Sequence, residues 1–94
     1  MKKVVRRKVE FQVAAAPGST VSVAGTFNDW DPKKNPMKDN PGSGLYKTAL
    51  MLPTGMYEYK FVVNGIWRPD AHSPQKVPDG YGAQNSVVCV KESM

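Results

Sequence analysis

The sequence predicts an all-β domain, an immunoglobulin-like antiparallel β-sandwich of the early-set type. Three observations predict it: short segments in which apolar and polar residues alternate, frequent turn residues (8 glycines and 8 prolines), and no segment with the apolar spacing of a helix. Short strands separated by turn signals are typical of sandwiches, in which each strand buries one face against the opposite sheet. Because 94 residues suffice for one core, we expect residues 1–94 to form a single domain.

The chain begins with a basic segment. Five of the first eight residues are lysine or arginine, and the remaining eight lysines and arginines balance eight aspartates and glutamates, so the net charge of +5 lies at this end. We expect residues 1–8 to be a basic arm or an edge strand whose charges deter pairing with other chains. Binding of nucleic acid or of an anionic partner is the alternative. The segment lacks the apolar stretch of a signal peptide, and no apolar run has the length of a membrane span.

Six segments are predicted to be strands, and four of them have apolar residues at alternate positions that face the core. The alternation is present in "VEFQV" (9–13), "TVSVAG" (20–25), "LYKTALML" (45–52) and "MYEYKFVV" (56–63), whereas "GIWR" (65–68) is a short strand and "NSVVCVK" (85–91) is the last one.

The connections between these segments are also predictable. Asn64-Gly65 predicts a two-residue hairpin, because both residue types tolerate positive φ. "LPTGM" predicts a second tight turn, and "APGST" separates the first two strands. Two long irregular loops remain, at about residues 28–44 and 68–84, and we expect residues 91–94 to fray.

Motifs of catalysis and metal binding are missing from the sequence, which has no nucleophile elbow, P-loop, HExxH or CxxC. Asp29 and Asp31 flank Trp30, but a hydrolytic pair needs a cleft and one raised pKa, so solvated turn residues are the better interpretation. His72 with Asp70 supplies too few ligands for a metal. We therefore expect no enzymatic activity, no metal and no cofactor.

The single cysteine, Cys89, excludes an internal disulfide and agrees with a reducing, cytoplasmic location. Because it lies in the last predicted strand, we expect it to be a small core or half-buried residue. A catalytic thiol is the alternative.

A set of aromatic and polar residues indicates a sugar site. Lys60 faces away from the apolar side of its strand, and Trp67 follows the two-residue turn, so the two side chains can share one surface. Trp30 lies in a polar loop. An indole packs against the flat C–H face of a pyranose, while ammonium and amide groups bind its hydroxyls. The alternative is that both tryptophans belong to the core, as tryptophans of sandwiches usually do.

Three blocks of the sequence resemble the glycogen-binding domain of the AMP-activated protein kinase β subunit. This module, carbohydrate-binding module family 48, also precedes the catalytic domains of branching enzymes, isoamylases and pullulanases. The blocks are "VAGTFNDWDP", "LPTGMYEYKFVVNGIWRPD" and "GAQNSVVCV", and the similarity runs from about Val21 to Val90. The family is a β-sandwich, in agreement with the fold predicted from the strands.

The resemblance assigns roles to four matching residues. Trp30 and Trp67 correspond to the tryptophans that stack on glucose. Lys60 and Asn85 correspond to the residues that form hydrogen bonds with sugar hydroxyls.

Three positions depart from the family pattern. Tyr81 lies where the kinase module has a leucine that projects through the sugar ring, and we expect Tyr81 to pack on sugar. Ala83 replaces a threonine and cannot donate a hydrogen bond. The family's Asp-Pro after the hairpin is Asp70-Ala71 here. Affinity and chain-length preference therefore stay open.

The residues that precede Trp30 are expected to serve the fold. Gly25 permits an unusual backbone conformation, Phe27 anchors the loop in the core, and Asn28 bonds local backbone. Glu58 is expected to face solvent, with a contact at the rim of the site as the alternative.

We therefore expect a non-catalytic module that binds α-1,4-linked glucans such as glycogen, starch or maltodextrin, with a catalytic domain or protein as a further partner. The alternative is a scaffold or regulatory interaction domain, associated with a glucan-active enzyme or kinase, that binds little sugar itself. We expect neither nucleic acid nor membrane as a partner, because the basic arm lacks interleaved aromatic residues and the body of the domain is neutral.

Overall fold

The computed structural model describes residues 5–39 and 41–91. Within these residues, eight strands form two antiparallel sheets, which confirms the predicted β-sandwich. The strands are β1 (Arg6–Ala14), β2 (Val21–Gly25), β3 (Lys38–Asp39), β4 (Leu45–Pro53), β5 (Gly55–Val63), β6 (Ile66–Arg68), β7 (Lys76–Pro78) and β8 (Gln84–Val90).

One sheet has the order β1-β4-β3, and the other has the order β2-β5-β8-β7, with β6 also paired to β5. Arg6, Arg7 and Lys8 belong to β1, which lies at the edge of its sheet. Residues 1–4 of the predicted basic arm, and residues 92–94 of the end predicted to fray, lie outside the described residues.

The core lies where the apolar faces of the two sheets meet, as the alternating pattern predicts. Its aromatic rings pack edge to face: Phe11 lies 5.0 Å from Tyr59 and Tyr59 lies 5.7 Å from Phe61, between ring centroids. The buried cluster comprises Phe11, Val21, Val23, Met37, Tyr46, Tyr59, Phe61 and Val63.

The hairpin predicted at Asn64-Gly65 is confirmed. Both residues have positive φ, 51° and 81°, and they join β5 to β6 with Val63 paired to Ile66. This geometry matches the right-handed twist of the flanking strands. The turn predicted in "LPTGM" joins β4 to β5, but these strands lie in different sheets, so it crosses the sandwich and is not a hairpin.

The two predicted irregular loops each contain a short strand, so that prediction is wrong in part. β3 has two residues and β7 has three, which is too short for an alternating pattern to be visible in the sequence. A three-residue 3-10 turn, Thr26–Asn28, follows β2. Among the described residues, no helix is long and apolar enough to cross a membrane.

The prediction that Cys89 is buried or half-buried is wrong, because its side chain is exposed. Cys89 pairs with the exposed Met56 of β5. Val88 and Val90, its neighbours in β8, occupy the alternate positions, where Val88 packs against the core and Val90 is buried. Apolar residues occupy both faces of this strand, so the sequence pattern could not reveal which face lies inward.

Candidate functional site

The outer face of the five-stranded sheet carries an open groove of about 450 Å³, which we call the aromatic groove. All five residues predicted from the sequence to bind sugar line it, although they come from three strands and two loops. Three residues that were not predicted to bind sugar complete the lining. The full set is Thr26, Trp30, Glu58, Lys60, Trp67, Asp79, Tyr81 and Asn85.

Strands β5 and β6 position the floor and one wall of the groove. Lys60 alternates with the buried Tyr59 and Phe61, so its side chain leaves the outer face of the sheet. Trp67 lies on the neighbouring strand opposite Val62, and its side chain is 43% exposed. The interpretation of Trp67 as a core residue is therefore wrong, and the half-buried Trp30 is also outside the core cluster.

A strained loop presents Trp30. Asp29 and Trp30 have φ of 58° and 59°, in the left-handed region that is uncommon for residues other than glycine. The Trp30 amide donates a hydrogen bond to the Gly25 carbonyl at 2.9 Å. Two consecutive residues in this region cost about 1 kcal/mol or more each, so the surrounding contacts must hold the loop.

Asn28 is the main source of those contacts, as predicted. Its Oδ1 accepts the Gly25 amide at 3.0 Å, and its Nδ2 donates to the Val23 carbonyl at 3.1 Å and to Asn35 Oδ1 at 2.6 Å. The side chain is buried, so each of these hydrogen bonds takes the place of one that the side chain would otherwise make to water. Asp31 accepts the Lys33 amide at 2.9 Å, which confirms it as a turn residue.

Gly25 and Phe27 fix the base of the same loop. Phe27 packs against Phe11 with ring centroids 5.5 Å apart, which confirms that it anchors the loop to the core. Gly25 was predicted to permit an unusual backbone conformation. That explanation is wrong, because its φ of −169° and ψ of −171° are extended values that any residue adopts. A Cβ atom at Gly25 would instead overlap the Glu58 carbonyl oxygen and lie 2.9 Å from Tyr59 Cβ.

Lys60 and Asp79 form an ion pair at the floor of the aromatic groove. Lys60 Nζ donates to Asp79 Oδ2 at 2.7 Å, and only 13% and 9% of the two side chains are exposed. Asp79 Oδ1 accepts the amides of Tyr81 at 2.7 Å and Ala83 at 3.2 Å. Asp79 thus fastens the loop that carries Tyr81 to β5. The Lys60 ammonium, with help from these amides, lowers the pKa of Asp79.

The lowered pKa of Asp79 predicts a pH-dependent stability. Ionised Asp79 stabilises the folded state above its ordinary pKa of 3.8, and this contribution is lost as the pH falls through the lower folded-state value. We expect Asp79→Asn to lower the free energy of unfolding at pH 7 and to have a smaller effect at pH 2. Urea denaturation of both proteins at the two pH values measures this. If Asp79→Asn lowered the free energy of unfolding equally at the two pH values, the prediction would be wrong.

Asn85 is held by Glu58. Its Nδ2 donates to Glu58 Oε1 at 3.0 Å, and Asn85 is itself buried. The Glu58 amide in turn donates to the Thr26 hydroxyl at 3.3 Å. Glu58 therefore orients a groove residue, whereas the sequence suggested a solvent-facing side chain or a rim contact.

Sequence reasoning missed Thr26 and Asp79. A local signal for Asp79 exists in "DGYG", since an aspartate that accepts amides two and four residues later is a common turn former. Its pairing with Lys60, 19 residues away, has no such signal. Tyr81 lies at the tip of this turn and its side chain is 93% exposed.

Asp70, which the sequence placed beside His72, has a structural role. Asp70 Oδ2 accepts the Tyr59 hydroxyl at 2.6 Å, and Oδ1 accepts the His72 amide at 3.0 Å. Burial, followed by the bond to Asp70, raises the pKa of Tyr59. Asp70 therefore ties the loop after β6 to the centre of the sheet.

Comparison with known proteins identifies similar sequences. Residues 8–94 match a family model described as the glycogen recognition site of AMP-activated protein kinase. The chain is 34% identical over 76 residues to 5'-AMP-activated protein kinase subunit beta-2 of Mus musculus, a match that covers 81% of this chain and 27% of that protein.

Two plant proteins are similarly related. Protein FLOURY ENDOSPERM 6, chloroplastic, of Oryza sativa subsp. japonica is 31% identical over 74 residues, which are 79% of this chain and 13% of that protein. Phosphoglucan phosphatase LSF1, chloroplastic, of Arabidopsis thaliana is 34% identical over 73 residues, 76% of this chain and 12% of that protein. The chain thus spans about a quarter of the kinase subunit and about an eighth of each plant protein.

Proposed function

Because the chain belongs to the family of glycogen recognition sites of AMP-activated protein kinase, we propose that it is a non-catalytic module that binds α-1,4-linked glucans in the aromatic groove. The observation that carries the proposal is the convergence of two tryptophans, an ammonium and an amide on one open surface of the sheet. Family membership indicates the class of ligand, and the groove supplies groups that suit it.

The two indoles supply the apolar part of the binding. Trp67 is exposed and Trp30 is half-buried, so each has surface that a pyranose can cover. A glucose unit presents aliphatic C–H groups to such a ring and removes apolar area of both partners from water. Because Trp30 sits in a loop held by Asn28, the backbone that carries its ring is fixed before the sugar arrives, which lowers the entropy cost of binding.

Lys60 and Asn85 supply the polar part. One N–H of Lys60 is used by Asp79 and one N–H of Asn85 is used by Glu58, so two ammonium hydrogens, one amide hydrogen and the amide oxygen stay available for hydroxyls. The carboxylates hold both side chains in place. Each sugar hydroxyl exchanges water for a similar partner, so we expect weak binding at a single site. Tyr81 adds a third ring at the rim.

The two carboxylates of the groove support a non-catalytic role. A glycosidase needs one carboxylic acid with a raised pKa to protonate the leaving oxygen. Lys60 lowers the pKa of Asp79, which opposes that role. Glu58 is committed to the amide of Asn85. Both carboxylates instead orient sugar-binding groups, and we assign any catalysis to a partner domain or protein.

The partner and the location are also proposals. The relatives are much longer than this chain, so we propose that the module acts beside a catalytic domain or protein, in cis or in trans. The cytoplasmic location stays a prediction, since two relatives are named as chloroplastic.

Native electrophoresis in gels that contain glycogen or dextran tests the proposal. We expect glycogen to retard the protein and dextran, whose backbone is α-1,6-linked, to leave its mobility unchanged. The double variant Trp30→Ala/Trp67→Ala should migrate normally in both gels. Normal migration of the unsubstituted protein in glycogen would contradict the proposal and favour the scaffold alternative.

A further inference from the structure

The aromatic groove carries more negative than positive side chains. In the part of the chain that the structure describes, the groove is lined by one positive side chain, Lys60, and two negative ones, Glu58 and Asp79. The groove therefore carries a net charge of −1, whereas the whole chain carries +5.

Two positive side chains on adjoining segments, Arg68 and Lys34, are directed elsewhere. Arg68 follows Trp67 in β6, and because neighbouring strand residues point to opposite faces, its side chain leaves the side opposite the indole. Lys34, which follows the Trp30 loop, lies 3.8 Å from Asp29. Neither residue belongs to the groove lining.

The arrangement also neutralises the one cation. The Lys60 ammonium lies 2.7 Å from Asp79 and both side chains are largely withdrawn from water. Lys60 can thus donate to a neutral hydroxyl, but its positive charge is already balanced. A phosphate group on the sugar would bring a charge of nearly −2 into a groove that has no uncompensated cation and one further carboxylate.

We infer that Asp79 and Glu58 are specificity-determining residues that make the groove select uncharged glucans over phosphorylated ones. This inference rests on the proposed function, because it concerns the same groove. From the Coulomb energy of such charges about 6–8 Å apart near the surface, reduced by salt, we expect a preference of about three- to tenfold.

The test compares maltoheptaose with maltoheptaose that carries one 6-phosphate, by calorimetric titration at low ionic strength. The unsubstituted protein should bind the neutral sugar about three- to tenfold more tightly, and this ratio should shrink in 0.5 M salt. Asp79→Asn and Glu58→Gln each keep the side-chain shape and remove one negative charge. Each should lower the ratio of the affinities for neutral and phosphorylated maltoheptaose at least about threefold. The double variant should prefer the phosphorylated sugar.

Glu10→Gln is the matched control. It removes the same charge from the chain, but Glu10 lies on β1 in the other sheet, so the ratio should not change. Equal binding of the two sugars, or a ratio that Glu10→Gln shifts as much as Asp79→Asn, would overturn the inference and leave the proposed function intact. Failure to bind maltoheptaose would contradict the proposed function, and the inference with it.

Discussion

Replacing Trp67 by alanine is expected to weaken the binding of maltoheptaose by about 30-fold, or about 2 kcal/mol, which is typical of a tryptophan at the centre of a binding surface. The indole is exposed and lies beside the Lys60–Asp79 pair in the aromatic groove, so its loss removes sugar contacts and few core contacts. Calorimetric titration measures the affinity, and circular dichroism checks that the sandwich is intact.

Ile66→Ala is the matched control for Trp67→Ala. Ile66 is the adjacent residue of the same short strand, is also apolar and exposed, and does not line the groove. We expect the affinity of the Ile66→Ala variant for maltoheptaose to stay within about twofold of that of the unsubstituted protein. Similar losses in the two variants would mean that Trp67 acts through the stability of β6, against the assignment of its ring to sugar.

Gly25→Ala is expected to destabilise the fold by about 3 kcal/mol or more, the largest effect on stability that the structure predicts for a single methyl group. The added Cβ would overlap the Glu58 carbonyl oxygen and lie 2.8 Å from Phe27 Cε2 and 2.9 Å from Tyr59 Cβ. Two of these three contacts are with atoms that a side-chain rotation cannot move. Urea denaturation measures the loss.

The comparison variant is Gly18→Ala. Gly18 has a φ of 84°, and a Cβ there would have no neighbour within 4 Å, so only backbone strain of about 1 kcal/mol is expected. If Gly25→Ala cost no more than Gly18→Ala, the close packing of β2 on β5 at Gly25 would not be needed, and this explanation of the glycine would be wrong.

Alternation and turn chemistry were enough to predict the fold because they are local. Phe11, Tyr46 and Phe61 are recognisable as core residues from their own neighbours in sequence, and Asn64-Gly65 defines its hairpin by itself. Strands β3 and β7 could not be predicted, since two or three residues carry no period and form strands only through pairing with β4 and β8.

The sequence predicted the aromatic and polar residues that we propose to contact sugar in the aromatic groove, but not the residues that support them. Trp30 and Trp67 stand out as aromatic residues at polar positions. Asp79 and Glu58 are ordinary surface residues in the sequence, and their bonds to Lys60 and Asn85 join positions 19 and 27 residues apart. Gly25 shows a further limit, because a sequence can indicate that only glycine fits without telling whether φ or close packing is the reason.

The most direct measurement is an NMR titration of the two indole N–H signals with β-cyclodextrin or maltoheptaose. Trp30→Ala and Trp67→Ala assign the signals, since each variant lacks one. If both rings contact one glucan in the aromatic groove, the two signals will shift along a single saturation curve at millimolar sugar. If neither signal moves, the groove does not bind glucan.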